Sequence, residues 1–70
     1  MMQHWTKLYT THNYTEASII KGMLEENSIP VTIFNRQASP YIGIGDDIEI
    51  YVARQFENVA QGLITGSLFN

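Results

Sequence analysis

The chain has no cysteine among its 70 residues, which removes disulfides, thiolate metal sites and thiol nucleophiles at once. Positive charge is also scarce. Four Lys and Arg residues stand against seven Asp and Glu, for a net charge of -3. Lys7, Lys21, Arg36 and Arg54 are scattered, so no basic patch exists to neutralise phosphates, and duplex DNA or RNA is not an expected partner. No apolar run approaches the roughly 20 residues that span a bilayer, so no membrane association is expected. The opening stretch from Met1 to Lys7 lacks both the basic segment and the apolar core of a signal peptide, and the expected location is cytoplasmic.

Apolar residues are not lacking. They make up 44% of the chain against 16% charged residues, which fits one compact domain over residues 1–70 rather than disorder. A chain this short buries only about 60% of the surface its unfolded form exposes. Without disulfides or metal thiolates, self-association is the remaining common device for stabilising so small a scaffold.

Residues 5–10 alternate and are rich in aromatic and β-branched types, which predicts a first strand. Asn13 is a favoured helix N-cap, and Glu16 is spaced to reach back as in a capping box. Ala17, Ile20 and Leu24 then share one helical face, extended by Met23 and Ile19. Asn27 is placed for a left-handed helix exit, and Pro30 forbids continuation. Residues 30–35 and 48–52 read as strands, the second with Ile48, Ile50 and Val52 on one face and Glu49 and Tyr51 on the other. Phe56, Val59, Ala60, Leu63 and Ile64 mark a second amphipathic helix over 55–65, with Gly66 as its expected stop. The order β-α-β-β-α predicts an α+β two-layer sandwich, ferredoxin-like with the fourth strand missing or very short and one sheet edge open.

The pattern resembles a small bacterial family of domains labelled putative prokaryotic signal-transducing proteins. The resemblance runs from Lys7 to Leu63. It rests on Lys7-Leu8-Tyr9-Thr10, Glu16-Ala17, Ile20-Lys21-Gly22-Met23-Leu24-Glu25, Ser28-Ile29-Pro30 and Ile50-Tyr51-Val52. It departs from the family where Ser28 replaces the usual Gly, and where Ala53-Arg54 replaces a Pro and an acidic residue. The resemblance implies a fold similar to the nitrogen-regulatory PII proteins and a binding or signalling role. It brings no catalytic residues.

No constellation points to an enzyme. His4, His12, Asp46, Asp47 and Glu49 lack the spacing of a metal site, and the serines have no His in a recognised relation to them, so neither metal nor cofactor is expected. Ile42-Gly43-Ile44-Gly45 precedes a strand instead of opening a helix, which weakens a phosphate-loop reading.

Two features carry functional expectations. If the isoleucines and valines of the sheet face the helices, then Phe34 and Tyr51 share the opposite face, and Trp5 and Tyr9 join them if Leu8 points inward, as an interaction surface or as ordinary shielding of the sheet. The segment 36–47, with Arg36, Tyr41, Gly43 and Gly45, is long enough to be a mobile ligand loop. The first favours a protein-interaction or regulatory module that forms a homodimer through its sheet and meets a further protein partner. The second favours a sensor of an anionic or nucleotide-like ligand.

Overall fold

The structure, a computed structural model, describes residues 4–37 and 46–68. The chain forms β1 (Trp5–Thr11), α1 (Tyr14–Glu26), β2 (Val31–Gln37), β3 (Asp46–Ala53), a 3₁₀ turn over Arg54–Phe56, and α2 (Glu57–Leu68). The sheet order is β1-β3-β2, with β3 antiparallel to both neighbours. Parallel β1 and β2 are therefore held apart by the strand that follows them, which is three quarters of a ferredoxin-like sheet. β1 and β2 each form an edge.

Both helices pack on one face. Ile48, Ile50 and Val52 of β3 lie beneath Ala17, Ile20 and Leu24 of α1 and Ala60 and Ile64 of α2, with Leu8 and Ile29 completing the buried cluster. The α1 residues recur at the three- and four-residue spacing that makes one helical stripe. Two apolar residues fall outside the contact strip. Val59, expected in the core, is 57% exposed, and Ile19 is 60% exposed. Each directly precedes a fully buried residue, and successive helical residues point about 100° apart, so a sheet this narrow covers Ala60 and Ile20 without covering their neighbours.

The ends of α1 show how local chemistry sets its length. Asn13 accepts from the Glu16 amide through Oδ1 at 3.1 Å, as an N-cap should. The reciprocal half of the expected capping box is replaced by a relay. The Asn13 amide donates to the Thr11 hydroxyl at 3.0 Å, and that hydroxyl donates in turn to the Glu16 carboxylate. At the other end the left-handed residue is Ser28, with φ 61°, one position beyond the expected Asn27. The Ile29 amide donates to the Leu24 carbonyl and the Ser28 amide to the Glu25 carbonyl, both at 3.0 Å, which is a Schellman ending. Ile29 and Leu24, which that motif brings together, are both buried.

Three boundaries differ from expectation. β2 and β3 extend to Gln37 and back to Asp46 as one ladder, so Arg36 and Asp47 belong to strands rather than to a loop. The connecting residues 38–45 lie outside the described residues. α2 continues past Gly66 to Leu68, because a glycine lowers helix propensity without ending a helix whose apolar face is already packed. Residues 69 and 70, beyond the helical Leu68, lie outside the described residues.

The bulge in β1 changes the faces. The register pairs Lys7 with Tyr51 and Tyr9 with Ile50, so Leu8 is the extra residue. Leu8 is buried, and its carbonyl accepts from Gln61 Nε2 of α2 at 3.3 Å.

Candidate functional site

The face of the sheet turned away from the helices carries no other element among the described residues. Directly opposed residues of an antiparallel pair point to the same face, so the register assigns its members. Trp5, Lys7 and Thr10 of β1 stand opposite Ala53, Tyr51 and Glu49 of β3. From the other side Thr32 and Phe34 of β2 stand opposite Tyr51 and Glu49.

Of the four aromatics expected on this face, three hold their positions. Phe34 is 54% exposed, and Trp5 and Tyr51 are half-buried. Tyr9 is a correction. The extra residue at Leu8 returns it to the helix side opposite Ile50, where its hydroxyl donates to Glu16 Oε2 of α1 at 3.3 Å. Burial, and then the charge and hydrogen bond of Glu16, hold the phenol above its ordinary value of 10.0. Tyr9 is therefore a tie between the sheet and α1.

The residue that sequence reasoning missed is Glu49. It occupies the centre of the uncovered face yet is only 4% exposed. Its strand is flanked on both sides, and neighbouring side chains close over the carboxylate. The Tyr51 hydroxyl donates to Oε1 at 3.0 Å, and Lys7 Nζ lies 3.7 Å from Oε2. A buried carboxylate is tolerated when its oxygens are partnered, and each oxygen here has a partner from this chain. The signal available beforehand was alternation, which sets Tyr51 two residues away on the same face. The Lys7 contact was not available, because it depends on the register that pairs β1 with β3 and sets Lys7 opposite Tyr51.

Toward the other end of the face, His12 Nδ1 lies 3.2 Å from Asp47 Oδ1, a pair in which His12 is largely exposed and Asp47 half-buried. Arg36 sits opposite Asp47 in the register. The remaining candidates of the ligand loop, Tyr41, Gly43 and Gly45, lie outside the described residues. His4 lines an open depression of about 480 Å³ with Ala53, Arg54 and Gln55, and Ala53 lies two residues from Tyr51 on β3. Among the described residues no group of three or more His, Asp or Glu is placed to hold a metal ion. At the N-terminus of α1 the Glu16 amide is already engaged by Asn13 Oδ1 and the Asn13 amide by the Thr11 hydroxyl.

Fold and site together define a small α+β sandwich with one covered sheet face and one uncovered face built around a partnered carboxylate. The chain belongs to the family described as "Putative prokaryotic signal transducing protein", whose family model matches residues 5–67. No curated protein and no solved structure matches the chain.

Proposed function

We propose that the protein is a non-catalytic regulatory module of prokaryotic signalling that works in the cytoplasm and self-associates through its sheet. The observation that carries the reading is the uncovered sheet face, with Phe34 exposed at mid-strand beside a carboxylate whose needs are already met. An exposed polar face usually resists burial because each ionised group must give up water. Glu49 has already done so within the monomer, so a second copy can join the sheet beside Phe34 without orphaning it. The family description supports a signalling role, and the length of the chain favours association as a source of stability. No helix among the described residues is long and apolar enough to cross a membrane.

Light scattering at micromolar concentration tests this directly. The expected mass is about twice the 8.0 kDa of one chain, and Phe34→Asp is expected to halve it. A monomer at all accessible concentrations would overturn the reading.

A further inference from the structure

The two edges of the sheet are not equivalent. β1 is interrupted by the bulge at Leu8, whose carbonyl is engaged by Gln61, and Lys7 lies on the same strand. Bulges and lysines are the devices by which natural sheets prevent further strand pairing. β2 has neither. It runs for seven residues, Val31–Gln37, in unbroken register with β3, and among the described residues no strand pairs with its other side.

Which backbone groups β2 offers follows from one bond. The Ala53 amide donates to the Pro30 carbonyl at 3.2 Å, so Pro30 and Ala53 occupy a hydrogen-bonded position one step beyond the Val31–Val52 pair. In an antiparallel ladder such positions alternate with ones whose amides and carbonyls point away from the partner. Thr32, Phe34 and Arg36 thus direct their backbone groups to β3. Val31, Ile33, Asn35 and Gln37 direct theirs to the open side.

We infer that β2 is the association edge, and that its occupant is β2 of a second copy of this chain, antiparallel about a two-fold axis at Phe34. The inference rests on the self-association proposed above and specifies its geometry. Centring the axis on Phe34 pairs Val31 with Gln37 and Ile33 with Asn35 of the second copy, so all four outward residues of each chain are used. With two bonds for each such pair, roughly eight hydrogen bonds cross the axis. Centring on Ile33 or Asn35 leaves one outward residue of each chain without a mate within β2. The Phe34 register also places the two Phe34 residues in a non-hydrogen-bonded pair, where opposed side chains come closest. Arg36 falls opposite Thr32 instead of a second Arg36. The product is one six-stranded sheet with all four helices on one side and the exposed aromatic joined to its own copy.

Amide exchange followed by NMR at concentrations spanning the monomer–dimer transition reads this geometry in the unmodified protein. Ile33 and Asn35 are expected to slow by about tenfold or more as the dimer forms, while Thr32 and Phe34, already bonded to β3, change little. Chemical synthesis of the 70-residue chain with an N-methyl group at Asn35 removes one outward donor per copy and should weaken the dimer by about tenfold or more, from two lost bonds. N-methylation at Thr10, on the bulged edge, should leave it unchanged. A dimer in which Ile33 and Asn35 exchange as fast as in the monomer, or which is broken by Trp5→Asp and indifferent to N-methyl Asn35, overturns the edge geometry while leaving self-association standing. A monomer at every concentration overturns both.

Discussion

The two faces of this sheet solve the burial problem in opposite ways. On the helix side, β3 contributes Ile48, Ile50 and Val52, and two amphipathic helices cover them with aliphatic side chains. On the other side the same strand contributes Asp47, Glu49 and Tyr51, and the cover comes from neighbouring side chains on the sheet itself. The most buried residue there is a carboxylate, held by Tyr51 and approached by Lys7. Burial on the first face comes from a second layer and stabilises through apolar area. Burial on the second comes from a polar cluster, whose value lies in its partners being present. The first face therefore tolerates loss of polar groups and not of volume, and the second the reverse.

The largest effect expected is on the helix side. Leu24 is fully buried, and Leu24→Ala should destabilise the fold by about 2–5 kcal/mol, as large-to-small changes in packed cores do. Phe34→Ala on the other face should change monomer stability by less than about 0.5 kcal/mol, as expected for a surface position. Urea denaturation at low concentration measures both, and equal losses would erase the distinction between the faces.

Polar loss should rank in the opposite way. Tyr51→Phe keeps the ring and removes the donor to Glu49 Oε1, leaving a buried carboxylate with one partner fewer, and should cost about 1–3 kcal/mol. Lys7→Ala should cost less, about 0–1 kcal/mol, because the lysine side chain is 52% exposed and its pairing distance is long. If Tyr51→Phe proves neutral in the same denaturation series, the cluster does not hold the face.

Most of the helix side could be read in advance, and much less of the other. Alternation alone identifies Ile48, Ile50 and Val52 as one face, and three- and four-residue spacing identifies Ala17, Ile20 and Leu24 as their cover. These patterns depend only on backbone period. Val59 was misplaced because apolarity shows which residues could be buried, while the width of the sheet decides which are. Tyr9 was misplaced because strict alternation holds only until a bulge, and the single extra residue at Leu8 moves every later side chain of β1 to the other face. The burial of Glu49 depends on the pairing of β1 with β3, which sets Lys7 opposite Tyr51 and so within reach of the carboxylate. Ligand-loop residues Tyr41, Gly43 and Gly45 stand outside the comparison.

A smaller effect, of opposite sign, is expected where the helix layer carries local strain. Ser28 adopts φ 61°, a region that L-residues other than glycine enter at some cost, to close the Schellman ending that brings Ile29 onto Leu24. Ser28→Gly should stabilise the protein by about 1 kcal/mol, less the added freedom glycine gives the unfolded chain. A melting temperature that falls would mean the serine side chain does more at this turn than bear its strain.

The finest effect concerns the tyrosine–carboxylate pair of the helix side and is read by pH. Tyr9 donates to Glu16 on the helix side, and burial together with the Glu16 charge keeps its phenol protonated above the ordinary value of 10.0. Because the folded state holds this proton more tightly than the unfolded state, the contribution of Tyr9 is complete below about pH 10 and is lost as the pH rises through the folded value. Ionisation would place a phenolate against a carboxylate and remove the bond that ties β1 to α1. Tyr9→Phe should therefore be less stable than the parent at pH 8, with the difference shrinking as the pH is raised through 10 and beyond. Denaturant midpoints of both proteins between pH 8 and 11.5 give that difference directly, and titrations common to both chains cancel. Parallel curves across the whole range would show that folding does not bias the Tyr9 phenol toward its protonated form, and the contact with Glu16 would then give the helix side no pH-dependent hold.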